Sequence, residues 1–266
     1  MTRQPVVAGR FYPGRKADLI ATLKNHLPEE SHRQHALGVI SPHAGYLYSG
    51  DVAGETLAQV QIPETVIILG PNHSGRGRPV ALSTTTWNMT LGDVAIDQPL
   101  AEELLQQSSI IEADETAHSS EHSLEVQIPF LQLLRKNVRI VPLCISHLSY
   151  GLCGTVANAI TKAIRKTGRG VLLLASSDMT HYEPRRIART KDHQALEHLL
   201  NLDPEGFYTT VHDQRMSICG VIPITIMLLS CLQQKASRAT LVRYTDSGEV
   251  SGDIDQVVGY AGLIIS

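Results

Sequence analysis

Four segments of the chain, Ala36 to Ser41, Thr65 to Gly70, Val138 to Ser146 and Gly170 to Ser176, are short β-branched or aliphatic runs, the last three almost unbroken in apolar residues. A strand with one wet face alternates apolar and polar positions, whereas a continuous apolar run suits a strand covered by helices on both sides. Between these runs lie stretches with helical patterning: Gly50 to Gln61, Pro99 to Gln107, Tyr150 to Lys166, Pro184 to Leu200 and Pro223 to Gln234. Strands alternating with helices predict crossover connections and parallel pairing. Two segments read differently. Trp87 to Asp97 carries a Gly92-Asp93 turn between short runs and predicts a hairpin, and the pair Ala239 to Thr245 and Val257 to Ile265 flanks a Ser- and Gly-rich loop. The expected fold class is therefore α/β with a mixed sheet. No linker, charge block or repeat divides residues 1–266, which are expected to form a single domain.

Composition narrows the picture. With 266 residues, 42% of them hydrophobic and 18% charged, the chain can bury a sizeable core. The net charge is −3, and the densest basic stretch is only Arg185-Arg186 with Arg189 and Lys191, so no nucleic-acid partner is expected. The segment Met1 to Pro5 lacks the apolar core of a secretory signal, and Ile222 to Leu232 is interrupted by Pro223, Thr225 and Ser230 and is too short to span a bilayer. A cytoplasmic protein with no membrane partner is expected. None of the glycines forms a dinucleotide-binding or phosphate-binding loop. The four cysteines show no C-x-x-C pair, and Cys144 and Cys231, in apolar surroundings, read as small buried hydrophobes.

The candidate chemistry sits where predicted strands run out. His43 follows Ser41-Pro42, His73 follows Gly70-Pro71-Asn72, and His181 follows Ser176-Ser177-Asp178-Met179-Thr180. One loop histidine can simply close a turn. Three at equivalent strand ends point to a shared metal or catalytic site, because open α/β sheets bind ligands beyond the carboxyl ends of their strands. Asp178 could orient His181 or serve as a ligand, or it could cap a helix. In Glu121-His122-Ser123-Leu124-Glu125, His122 and Glu125 would share a face if helical, as an acid–base pair or as the polar start of a short helix that Pro129 kinks. His118 is the weaker histidine of that segment. Cys219 precedes a helix expected to open near Pro223, whose N-terminus would favour the thiolate; burial would instead leave it inert. The sequence alone leaves that choice open.

These motifs resemble the Memo-like family, and more closely its bacterial and archaeal branch, AmmeMemoRadiSam system protein B. The likeness runs through Pro5 to Pro13, Pro42-His43-Ala44-Gly45-Tyr46, Leu69-Gly70-Pro71-Asn72-His73, Glu121 to Glu125, Ser176-Ser177-Asp178, Ile218-Cys219-Gly220, Tyr244 to Gly252 and Val258-Gly259-Tyr260-Ala261. The resemblance implies an αβα sandwich around a mixed, mainly parallel sheet, similar to class III extradiol ring-cleavage dioxygenases, with a pocket at one sheet edge. It implies metal ligation by His43, His73 and Cys219, with Asp178 and His181 in the same pocket. His122 joins His181 and Asp178 as a candidate catalytic residue, and Asn72, Glu125 and Tyr46 are expected to line the substrate pocket.

Oxygen-activating iron(II) sites usually combine two histidines with a carboxylate. A thiolate in that place moves the plausible metals toward copper(I) or zinc, with iron(II) still favoured and Asp178 or Glu125 available as an oxygen ligand. The leading functional expectation is an iron(II)-dependent oxidoreductase or dioxygenase acting on a small phenolic or related planar substrate. The alternatives are a scaffold that binds a metal, small ligand or peptide, and a metal-free enzyme built on Cys219. The resemblance also implies a pathway shared with a radical-SAM enzyme and an AMMECR-type protein.

Overall fold

The computed structural model describes residues 2–266, and in it the apolar runs become the middle of a nine-stranded sheet. In chain order the first half comprises β1 (Thr2–Arg3), α1 (Lys16–Asn25), β2 (Gly38–Ser41), α2 (Tyr46–Ala58), β3 (Thr65–Pro71), β4 (Val80–Leu82), β5 (Thr86–Trp87), α3 (Gln98–Gln107), β6 (Ile111–Ala113) and α4 (Ile128–Leu134). The second half comprises β7 (Arg139–Ile145), α5 (Tyr150–Thr167), β8 (Val171–Ser176), β9 (His181–Glu183), α6 (Arg185–Leu200), α7 (Pro204–Asp213), α8 (Val221–Gln233), β10 (Ala239–Asp246), α9 (Gly248–Ser251) and β11 (Val257–Ile265). Across the sheet the order is β10-β11-β2-β8-β3-β7-β4-β6, with β9 attached to β11. The centre, β2-β8-β3-β7, is parallel; β11 joins β2 and β4 joins β7 in antiparallel fashion.

Glycines on neighbouring strands show the two covered faces. A Cβ at Gly38 would strike Met227 and Cys231 of α8, while one at Gly262 would strike Thr56 of α2. Gly38 shares a face with Ile40, and Ile40 pairs with Leu263, so Gly262 points to the opposite side. Helices therefore cover both faces, as the unbroken apolar strands require: β2, β3 and β8 are buried at every position. This is the expected α/β sandwich on a mixed sheet with a parallel middle, organised around one contiguous apolar core.

The strand order also creates a crevice. From β2 the chain passes through α2 to β3, stepping over the position of β8; from β7 it passes through α5 to β8, stepping over β3. Helix α2 lies on the Gly262 face, whereas α5 packs on α8, on the Gly38 face. Connections that leave to opposite sides open a cleft at the carboxyl ends of β2, β8 and β3. The loops carrying His43, His73 and Asp178 emerge there.

Some elements differ from their sequence pattern. Helix α2 begins at Tyr46, a turn before the expected Gly50, because Gly50 and Gly54 are not breakers here but make room for His26, whose ring would lie 2.6 Å from a Cβ at Gly50. His26 is accordingly packed against this helix and bonded to Asp51 at 2.6 Å. The hairpin expected near Gly92 forms: Trp87 and Val94 exchange backbone hydrogen bonds of 3.0 and 2.9 Å, and Gly92 takes φ 122°. Among the described residues no helix is long and apolar enough to cross a membrane.

Candidate metal centre

Three imidazoles meet in the crevice. The donor nitrogens of His43, His73 and His122 all lie within 4.8 Å of one another. The His73 and His122 rings stack with centroids 4.8 Å apart, and His43 meets them edge-on at 5.2 and 5.5 Å. The cavity they line has a volume of about 570 Å³ and also takes in Phe11, Asp178, His181, Cys219 and Tyr260.

Hydrogen bonds fix how each ring presents itself. Ser176 Oγ donates to Ser123 O at 2.7 Å, so it accepts from His43 Nδ1 at 3.0 Å and leaves His43 Nε2 as a lone pair facing the cavity. His73 Nδ1 donates to Glu121 Oε1 at 2.9 Å, which makes Nε2 the lone-pair nitrogen when the ring is neutral, and His122 Nδ1 lies 3.4 Å from the same carboxylate. Glu121 is buried and further accepts the backbone N–H groups of His73, His122 and Ser123 at 2.7 to 2.9 Å. A carboxylate or hydroxyl behind each imidazole is the arrangement that orients histidine ligands. Metal–nitrogen bonds of about 2.0–2.1 Å set donors roughly 3.4 Å apart in a tetrahedron. The three rings are somewhat wider than this, and small side-chain rotations would close them, so the group could hold a metal ion.

Charge is distributed to match. Burial, then the neighbouring His122 and His73, hold His43 well below the ordinary histidine value and keep it neutral. Desolvation pulls His73 down too, but the bond and charge of Glu121 outweigh it and raise the ring. Burial opposes ionisation of Glu121, yet the bond and charge of His73 and the backbone donors bring it down to about 2. Asp178 is raised by burial, although it accepts from His43 N at 2.7 Å.

Cys219 flanks the imidazoles, its Sγ 3.3 Å from His43 Nε2 and 3.3 Å from Asp178 N, which donates to it. Gly220 makes this approach possible, since a Cβ there would strike Ser177 at the end of β8. The helix N-terminus does not produce a thiolate: burial and then the Asp178 carboxylate push the thiol up. His181 is anchored from the other side. Its N–H donates to Ser217 Oγ and its Nδ1 to Ser217 O, both at 2.8 Å, which makes Nε2 the lone-pair nitrogen of the neutral tautomer.

Three expected pocket residues lie elsewhere. Glu125 does not share a face with His122. Its buried carboxylate accepts from Arg3 at 2.5 Å, Val6 N at 2.8 Å, Val7 N at 3.1 Å and Tyr12 Oη at 2.7 Å, and so latches the N-terminal segment. Tyr46 is buried behind the site with its hydroxyl donating to Val126 O at 2.6 Å. Asn72 spends its amide on the His73 loop, accepting from Gly75 N at 2.9 Å and donating to Arg76 O at 2.7 Å. His118 is buried beside Trp87, its Nε2 on Ala81 O at 3.0 Å. Residues the sequence reading did not single out take part instead. Phe11, carried by the latched segment, packs edge-on against His122 with centroids 4.9 Å apart. Ser176 had a visible signal as the polar end of an apolar run, whereas nothing in the sequence ranked Glu121 above Glu125.

Fold and site together define an α/β protein with a histidine-lined pocket at the carboxyl edge of its parallel strands. The chain belongs to the Memo-like family: the family model described as Memo-like protein matches residues 3–264. MEMO1 family proteins of Methanosarcina barkeri and Methanosarcina mazei are 43% and 42% identical to it over 265 residues, covering 99% of this chain and 99% and 98% of their own. One from Archaeoglobus fulgidus is 42% identical over 264 residues, 98% of each chain. A crystal structure of an uncharacterised protein from Escherichia coli K12 shares the fold with a TM-score of 0.56 at 15% identity, over 85% of this chain and 98% of that one.

Proposed function

We propose that the protein is a metal-dependent oxidoreductase, with iron(II) the favoured ion, acting on a small phenolic or related planar substrate. The observation that carries this reading is the convergence of His43, His73 and His122, whose donor nitrogens lie within 4.8 Å of one another, with Ser176 on His43 Nδ1, Glu121 on His73 Nδ1 and the same carboxylate 3.4 Å from His122 Nδ1. A redox-active ion bound there would supply Lewis acidity and an electron source for dioxygen. His43 and His73 would hold it, with His122 completing the imidazole set and Cys219, at their flank, able to add sulfur on losing its proton. His181, in the same cavity with its Nδ1 held by Ser217 O, takes the proton from a substrate hydroxyl on Nε2 and returns it later. Asp178 holds the His43 backbone, and Phe11 packs on His122 and narrows the cavity.

The test is dioxygen uptake by anaerobically iron-loaded protein with a panel of catechols. Uptake that depends on substrate and falls about 10²-fold or more in His181→Ala, at unchanged metal content, is the expected result. Absence of uptake with a fully loaded site overturns the enzymatic reading in favour of a metal- or ligand-binding scaffold. The short Cys219–His43 contact supports a second reading, nucleophilic catalysis without metal. A raised thiol weighs against it, and slow alkylation of Cys219 at neutral pH would remove it.

A further inference from the structure

The histidine cavity continues outward. A second hollow of about 260 Å³ adjoins it, shares Tyr182, Val258 and Tyr260 with it, and runs past Tyr48 to a polar rim that includes Ser251 and Gln256.

Tyr182 occupies a costly position at this junction. In the β9–β11 ladder Val257 faces Glu183 and Val258 faces His181, so Tyr182 is the extra residue of a β-bulge. It sits at φ 57°, a left-handed conformation that glycine fills without strain and a bulky side chain rarely adopts. Packing does not explain it, because the residue is 73% exposed. Bulges beside active sites re-aim side chains, and strained residues gather where a site needs them. Here the bulge places an exposed aromatic residue in the lining of both hollows, with Tyr48, itself 40% exposed, lining the outer one.

Tyr260 stands between the two hollows and is 2% exposed. The buried Tyr12 and Tyr46 and the half-buried Tyr244 all donate their hydroxyls to protein acceptors. Among the described residues none takes a hydrogen bond from Tyr260, although burial and then the nearby Asp178 carboxylate keep its phenol protonated. Its hydroxyl is not fully enclosed, so this donor is left open to the cavities, where a ligand can supply the acceptor.

We propose that Tyr260, Tyr182 and Tyr48 form a second subsite that recognises the distal part of the substrate. The ligand it fits is flat and extended, with a hydrogen-bond acceptor a few ångströms from its chelating end and a second ring lying against Tyr182. This rests on the proposal that the histidine cavity holds a metal-chelating substrate, and it adds what selects that substrate.

The test compares catechol with 6,7-dihydroxycoumarin, a catechol fused to a second ring that carries a carbonyl, on anaerobically iron-loaded protein. The coumarin is expected to bind about ten-fold tighter than catechol. Tyr260→Phe should lose about five-fold of the coumarin's affinity, the size of one neutral hydrogen bond, and Tyr182→Gly a similar factor, while catechol affinity and metal content stay at parent values. An unchanged preference in both variants overturns the subsite. If the loaded protein binds neither compound, chelation fails, and the subsite is judged separately in metal-free protein carrying 3-fluorotyrosine. Unsubstituted coumarin, which cannot chelate, should then shift the fluorine resonances of Tyr182 and Tyr260, and no shift overturns the proposal.

Discussion

Glu121 and Glu125 stand four positions apart, are both buried, and do opposite things. Glu121 turns toward the crevice and orients His73 and His122; Glu125 turns away and gathers Arg3, two backbone amides and Tyr12. Removing one partner of a buried ion pair strands the other charge, so Glu125→Ala is expected to cost about 3–5 kcal/mol in urea denaturation. A loss below about 1 kcal/mol would show that the N-terminal segment is held by other contacts. Tyr182 gives the reverse case. Replacing it with glycine removes left-handed strain at the expense of chain entropy, and a net gain of about 1 kcal/mol in thermal or urea unfolding is expected. Stability that falls instead would mean that the exposed ring contributes packing. The histidines were legible because a strand end is a local feature and three of them repeat. The partner of Glu125 lies 122 positions away, and no local pattern carries that information.

The central strands could be read because an unbroken apolar run has one comfortable environment, the middle of a covered sheet. Helices α1 and α7 were not anticipated: each is ten residues long, α1 buries only Leu19 and Leu23, and α7 only Pro204, Phe207 and Val211, too sparse a stripe to stand out. The start of α2 was hidden by glycines whose purpose, room for His26, appears only in three dimensions. Asp97 shows how an element end is tied to its neighbours. It caps α3 by accepting from Leu100 N at 3.2 Å, takes the Thr65 hydroxyl of β3 at 2.6 Å and pairs with Arg169 at 2.9 Å. Burial opposes its ionisation, but the bonds from Thr65 and Arg169 prevail and depress its pKa. Its stabilising contribution is therefore complete above the ordinary carboxylate value of about 3.9 and is lost as the pH falls through the lower native value. Asp97→Asn keeps the cap and removes the charge. Its stability should fall less steeply than the parent's as the pH is lowered from about 4 toward 2. Parallel acid limbs in the two proteins would mean that the pair with half-exposed Arg169 contributes nothing.

The sheet order joins these parts into a site. Crossovers on opposite faces place the ends of β2, β3 and β8 side by side, and the buried Glu121 carboxylate and Ser176 hydroxyl hold the imidazoles in one orientation. The sequence and its resemblance pointed to His43, His73 and Cys219; the tightest convergence is of His43, His73 and His122, with the thiol at its flank. The difference is spatial, since His122 enters from the segment before α4, a connection that the strand pattern did not place over the crevice. The most direct measurement is iron bound per chain after anaerobic loading, in the parent and in His43→Ala, His73→Ala, His122→Ala and Cys219→Ser. Near one iron in the parent, lost in all three histidine variants and weakened less in Cys219→Ser, is the expected outcome. Full occupancy in His122→Ala with complete loss in Cys219→Ser would contradict the three-histidine centre, and a parent that binds no metal would contradict a metal centre altogether.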